Sequence, residues 1–245
     1  MQNQNRPVLI CGAMDVEIQQ LRSYMRPCRE ESLGGYTLWL GEIDELPVAL
    51  LRTEIGIINS ACATALAIHQ LQPQSVLNIG CAGGHSRLVH RGDIVLGKSC
   101  VNITSFETPD ALENEGIHVE DWTPSTFSPD EEDRPIHDRL SCDKYLLEEA
   151  QKCSYDKGRV LCGVLGSGDV WNREADHVLW LNQTLHTMCE DMESVSVYSV
   201  AHRFSLPVLG IRIISNHVLY QEEYDRSTCL DCQHFVLEFL HRLRG

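Results

Sequence analysis

The sequence predicts an α/β fold built as one layered domain, on three observations. Short apolar runs alternate with segments of helical periodicity along the whole chain. Several of the apolar runs end in glycines, acids or amides, where open α/β sheets place their ligands. No repeat, linker or low-complexity stretch divides the 245 residues, a length within reach of a single α/β unit.

Taken in order, residues 7–14 read as a buried strand, and 15–25 as a helix opening on Asp15 and Glu17. Residues 36–41 and 47–52 alternate as a hairpin joined by the polar turn at Asp44 and Glu45. Residues 59–71 form a helix whose alanines (Ala61, Ala63, Ala65, Ala67) fit close packing on a sheet. Residues 75–80 are a second buried strand, ending in Gly80-Cys81-Ala82-Gly83-Gly84, and Asp93 begins another. Residues 106–135 hold many acids and several prolines. They are expected to form a solvated excursion, or a lid or subunit contact, with Trp122 and Phe127 favouring order. Beyond it come a helix at 144–152, a strand at 159–166, a helix at 176–182 and a strand at 186–190. A helix at 193–204, a strand at 207–215 and an amphipathic helix at 227–243 close the chain.

Composition narrows the function classes. Apolar residues make up 43% of the chain, enough for a large core. Acids outnumber bases 35 to 20, a net charge of −15, which argues against nucleic acid or an anionic membrane as partner. No apolar run approaches a bilayer span, and the start lacks a secretory pattern, so the expected location is cytoplasmic. The 11 cysteines mostly sit in apolar segments, as free thiols do in a reducing compartment. Cys229 and Cys232 form one C-x-x-C, which without a second ligand pair reads as two residues on one helix face.

Individually the chemistry-bearing residues are ordinary. Glu17 alone is an acid favoured at a helix N-terminus. Glu193 likewise opens a helix, Trp171 alone is core, and Asn216 alone is a turn residue. The glycine-rich segment lacks the G-x-G-x-x-G spacing and reads alone as a tight turn, or as a loop whose N–H groups approach a ligand.

Jointly they carry more. Gly12-Ala13-Met14 with Glu17, Ile55-Gly56, Asn78-Ile79-Gly80-Cys81-Ala82-Gly83-Gly84, Arg91-Gly92-Asp93-Ile94-Val95, Ser167-Gly168-Asp169, Met192-Glu193 and Arg212-Ile213-Ile214-Ser215 occur in that order. The chain thereby resembles the nucleoside phosphorylase/nucleosidase superfamily, most closely the 5′-methylthioadenosine/S-adenosylhomocysteine nucleosidases. The resemblance runs over roughly residues 7–104 and 158–218. It implies a three-layer α/β/α domain with a twisted mixed central sheet, usually in a homodimer, and an enzyme that cleaves the bond between a purine and C1′ of ribose. It implies no cofactor and no metal, with a small-molecule purine nucleoside as partner.

Carried across, the resemblance makes Glu17 the base that activates water. Glu193 holds the ribose hydroxyls with Met192 beneath the sugar. Trp171 stacks on the base, the backbone near Asn172 reads its edge, and Ile55 lines the pocket. Ala13, Met14, Cys81, Ala82, Gly83, Arg212 and Ser215 complete the expected substrate-binding set, with Cys81 standing where the family usually has Ser. Related phosphorylases carry arginines near the first turn and before the glycine segment. Glu17 and Asn78 stand there instead, which favours water over phosphate as nucleophile.

Asn216 departs from the pattern. The adenine-specific nucleosidases hold Asp there, the acid that protonates purine N7, and an amide can only donate a hydrogen bond. Three cases stay open: a 6-oxopurine nucleosidase of futalosine or inosine type, an adenine nucleosidase that tolerates Asn, or a substitution that traps substrate. A purine nucleoside phosphorylase and a non-catalytic nucleoside-binding relative remain the alternatives.

Overall fold

The protein is described by a computed structural model that covers residues 6–125 and 139–244. The strands are β1 (Val8–Gly12), β2 (Cys28–Leu33), β3 (Tyr36–Ile43), β4 (Leu46–Arg52), β5 (Ser75–Gly84), β6 (Ile94–Asn102), β7 (Phe106–Glu107), β8 (Thr123–Pro124), β9 (Leu140–Ser141), β10 (Val160–Ser167), β11 (Thr187–Asp191) and β12 (Val208–His217). The helices are α1 (Asp15–Tyr24), α2 (Ile57–Leu71), α3 (Lys144–Ala150), α4 (Ala175–Leu185), α5 (Ser194–Arg203) and α6 (Thr228–Arg244).

Ten strands form one mixed sheet in the order β11-β10-β6-β12-β5-β1-β4-β3-β2, with β9 added on β6. Strand β1 pairs in parallel with both β4 and β5, whereas β12 is parallel to β5 and antiparallel to β6. The last residues of β5 turn back on β11, Gly84 facing Cys189 and Gly83 facing Glu190. One end of the sheet thus closes into a ring of β5, β12, β6, β10 and β11.

Two cores cover the two faces. On one, Ile18 and Leu21 of α1, Leu146 of α3 and Phe235, Val236, Phe239 and Leu240 of α6 pack on Ile10, Leu77, Ile79 and Ile211. On the other, Ala63, Ala67 and Ile68 of α2 and Val197, Tyr198 and Ala201 of α5 pack on Leu9, Leu51, Val76 and Ile214. The fold is therefore the expected three-layer α/β/α arrangement. The alanines of α2 let it lie close to α5, as the Ser60 and Ser196 hydroxyls, 2.5 Å apart, show.

Each long element foreseen from the pattern is present, with boundaries shifted by a few residues. Asp44 and Glu45 both take positive φ (49° and 67°), the geometry a two-residue hairpin turn demands. Cys229 and Cys232 are both buried on the inner face of α6.

Two readings need correction. Strand β2 was not foreseen, because Cys28-Arg29-Glu30-Glu31-Ser32-Leu33 carries almost no apolar pattern; it lies at the sheet edge, where only β3 pairs with it. The glycine segment 80–84 is neither turn nor loop but the end of β5, paired with β12 and β11. Its glycines answer close approach: a Cβ at Gly80 would collide with Arg212 Nη1 and Glu17 Oε1.

In the excursion, β7 pairs with β8, and Phe106 packs near Trp122 (6.1 Å between centroids) and Trp180 (5.1 Å). Phe127 lies outside the described residues. No helix among the described residues is long and apolar enough to cross a membrane.

Candidate active site

The strand ends of β1, β5, β11 and β12 surround a cavity of about 270 Å³. Its lining includes Ala13, Met14, Glu17, Ile55, Cys81, Ala82, Gly83, Trp171, Met192, Glu193, Ser215 and Asn216, all expected from the sequence. The two glutamates, 176 positions apart (193 − 17), share this one cavity.

Glu17 occupies the third position of α1, and its carboxylate reaches back to accept the Met14 N–H (3.0 Å), half of a capping box. The same Oε2 accepts the Ala13 N–H (2.9 Å), while Oε1 accepts the Cys81 N–H (3.0 Å) and thiol (3.3 Å). The ordinary helix-start role and the pocket role therefore coincide in one side chain. Three backbone N–H groups from two strand ends fix a carboxylate that is only 3% exposed.

Glu193 is held differently. Its Oε1 accepts the Gly56 N–H (3.1 Å), and Gly56 takes φ = +100°, where a Cβ would also press on Asp169 Oδ1 at 2.9 Å. Asp169 Oδ1 in turn accepts the Ile57 N–H (2.8 Å) at the start of α2.

Behind Glu193 lies Asp191, which anchors the whole turn into α5. Its Oδ1 accepts Ser167 Oγ (2.9 Å) and the N–H groups of Glu193 (2.9 Å) and Ser194 (2.7 Å). Its Oδ2 accepts Ser194 Oγ (2.6 Å) and pairs with Arg212 Nε (3.0 Å). The Arg212 guanidinium also bonds Asn78 Oδ1 and stands 3.8 Å from Glu193 Oε2.

Burial pushes the Glu193 carboxyl up to about 8, against the pull of Arg212. The consequence for stability has a definite sign. Between the ordinary value of 4.5 and about 8 the folded chain holds a proton that the unfolded chain has lost, so this residue's contribution falls as pH rises. Glu193→Gln is expected to raise the melting temperature at about pH 9 more than at about pH 5. Scanning calorimetry across that range checks it; an equal shift at both ends would refute the assignment.

Two expected binding residues are placed elsewhere. Arg212 is 0% exposed and lies beneath the floor, so its contacts are with Asp191, Asn78 and Ser194 rather than with the cavity. Asn172, near which the backbone is expected to read the base edge, is buried outside the lining; its own N–H is taken by Glu190 Oε1 (2.8 Å), and its amide by Glu190 Oε2.

Glu190 itself, missed by the sequence reading, lines the cavity, with His85 Nε2 at 3.1 Å from its Oε2. Asp191, Val170 and Tyr224 line it as well. Tyr224 meets Trp171 edge-on (6.2 Å, 75°).

A register shift in β12 between Ile214 and Asn216 turns the Asn216 side chain toward the same end. Ser215 Oγ donates to its Oδ1 (2.9 Å), and its Nδ2 points at Gly83, where a Cβ would lie 3.3 Å away. Gly83 also adjoins Glu190, whose Cγ would be 3.6 Å from such a Cβ. An amide donor and a carboxylate thus converge over one glycine.

Four acids and no Lys, Arg or His line the cavity among the described residues. Such a wall offers no cationic side chain to an anionic co-substrate and suits a neutral, hydroxyl-rich one.

Comparison with known proteins finds relatives along almost the whole chain. A 5′-methylthioadenosine/S-adenosylhomocysteine nucleosidase of Hydrogenovibrio crunogenus is 29% identical, over 97% of this chain and 99% of its own. One from Desulfotalea psychrophila is 30% identical, over 89% and 88%. In structure, the chain is similar to a nucleosidase of that name from Neisseria meningitidis in complex with methylthio-immucillin-A (TM-score 0.78, 23% identity, 96% and 98% covered). Its likeness to the futalosine hydrolase of Helicobacter pylori is as close (TM-score 0.78, 20% identity, 96% and 97% covered). Residues 7–239 match the family described as the phosphorylase superfamily, and to that family the chain belongs.

Proposed function

We propose that the protein hydrolyses the N-glycosidic bond of a purine nucleoside, in the manner of the 5′-methylthioadenosine/S-adenosylhomocysteine nucleosidases it resembles. The observation that carries this reading is the single cavity shared by Glu17 and Glu193 and, among the described residues, walled without a cation.

In this mechanism Glu193 accepts hydrogen bonds from the ribose hydroxyls, with Met192 against the sugar and Trp171 against the base. The C1′–N bond breaks with its electron pair leaving on the purine, and positive charge grows at C1′. The Glu17 carboxylate faces that charge and takes a proton from the attacking water, whose oxygen bonds to C1′. The Asn216 amide donates to the departing base, which takes its proton from solvent, since an amide has none to release. Phosphorolysis would bring an anion against Glu17, so water is the nucleophile.

A second reading of the base is favoured by one observation. The Asn216 carbonyl already accepts Ser215 Oγ, leaving the NH₂ forward, and the Glu190 carboxylate stands beside it. A donor next to an acceptor matches the 6-oxo oxygen and N1–H of a 6-oxopurine. Adenine offers an unprotonated N1 there, which a carboxylate repels.

The test is release of free base from methylthioadenosine, S-adenosylhomocysteine, adenosine, inosine and futalosine, with and without phosphate. Base and free sugar should appear at a rate indifferent to phosphate. Strict phosphate dependence with a sugar 1-phosphate product would establish a phosphorylase instead. If Asn216 selects a 6-oxo group, Asn216→Asp shifts the ratio of inosine-type to adenosine-type kcat/KM toward adenine by at least about tenfold, about 1.4 kcal/mol. An unchanged ratio removes Asn216 as the selector.

The remaining expectations belong to the same proposal. The chain acts as one unit over 1–245, as a homodimer in the cytoplasm, and the acidic excursion with a neighbouring subunit shapes the end of the site that receives the 5′ substituent.

A further inference from the structure

At the cavity lies a donor set of which hydrolysis uses one member, Glu17, and leaves the two thiols without a role. Glu17 on α1, Cys81 on β5 and Cys229 on the first turn of α6 each bring one ligand atom to a common point, all within 4.8 Å of one another. Cys81 Sγ is 3.3 Å from Glu17 Oε1 and 3.8 Å from the Tyr224 hydroxyl, which is 4.0 Å from Cys229 Sγ. Cys229 is fully buried, and its carbonyl is tied to Gln233 (2.9 Å).

We propose that Glu17, Cys81 and Cys229 form a binding site for one thiophilic divalent cation of the Zn²⁺ class. Two thiolates and a carboxylate give three legs of a tetrahedron, with the fourth position turned to Tyr224 or to water. Zn–S bonds of about 2.3 Å set the two sulfurs roughly 3.7 Å apart. The donor atoms therefore close in by about 1 Å at most, within the reach of side-chain adjustment alone.

Binding is a proton exchange. Both thiols release their protons to solvent, and the +2 charge is met by two thiolates and one carboxylate. Affinity therefore rises with pH, and soft thiolate ligands exclude Mg²⁺ and Ca²⁺.

Occupancy and turnover are mutually exclusive, because the cation takes the carboxylate assigned as the base. That consequence rests on the proposed function; the binding itself does not.

The experiment titrates the full chain, kept reduced with a trialkylphosphine, with Co²⁺ and then Zn²⁺. One equivalent of Co²⁺ should give thiolate-to-metal charge-transfer absorption with tetrahedral visible bands, and Zn²⁺ should displace it. Cys229→Ser should weaken Zn²⁺ by more than about 100-fold, beyond the loss caused by changing a residue that only hydrogen-bonds to a ligand. Cys142→Ser, away from the site, should leave the affinity unaltered, and near-ultraviolet circular dichroism confirms folding of each variant. If Cys229→Ser fails to fold, Glu17→Gln, which keeps both thiols, serves in its place with a loss of at least about tenfold. Absence of the charge-transfer band, or a Zn²⁺ affinity unaltered in a folded Cys229→Ser chain, overturns the site. In the activity arm Zn²⁺ should inhibit, with reversal by a chelator. A confirmed thiolate site that leaves hydrolysis running would support the site and overturn Glu17 as the base.

Discussion

Glu17→Gln is expected to lower kcat by about 10²–10⁴-fold, the range over which a positioned general base acts. The substitution preserves shape but not charge. An amide no longer compensates positive charge at C1′, and its nitrogen cannot take a proton from water. The structure adds a second cost that must be separated from the first. Oε2 accepts two N–H groups and Oε1 accepts another, so whichever position the NH₂ takes sets donor against donor. A conflict of this kind costs about 1–3 kcal/mol of stability. The melting temperature should therefore drop, while the folded fraction at assay temperature still binds free purine. Turnover near the parent value, measured on folded protein, would rule out Glu17 as the base.

Glu193→Ala is expected to reduce kcat/KM by about 10²–10³-fold, because hydrogen bonds to sugar hydroxyls that tighten in the transition state supply several kcal/mol. The loss has an internal check. A 2′-deoxy substrate removes one partner of the same interaction, so the parent enzyme should lose much of its rate on it. The Glu193→Ala variant should then lose little more on that substrate, the non-additivity of a shared contact. Full additivity of the two losses would place Glu193 off the sugar.

Most of the architecture was legible because buried strands and amphipathic helices carry their periodicity in the sequence. Strand β2 was not, since an edge strand with one neighbour needs little apolar content, and Arg29-Glu30-Glu31 looks like a loop. The site divided along similar lines. Glu17, Met192 and Glu193 sit where a strand gives way to a helix, so the pattern marks them. Glu190 falls inside a short buried strand, and its meaning depends on His85 and Asn172, which only the fold brings beside it. Arg212 was read as a ligand-facing cation, yet inside β12 it is an internal counter-ion for Asp191. Tyr224 lies in an acidic stretch without periodicity, so nothing local signalled that it faces the cavity.

The return of β5 onto β11 has an effect on how the molecule meets its neighbours. At the ring the outermost strand is partly covered by β5, leaving β2, among the described residues, as the long border of the sheet still able to recruit another chain. That border is studded with Arg29, Glu30 and Glu31, and fixed charge there discourages strand-to-strand growth. Resistance to aggregation and the shape of the catalytic end are therefore governed at opposite limits of one sheet, so each can change in evolution without disturbing the other.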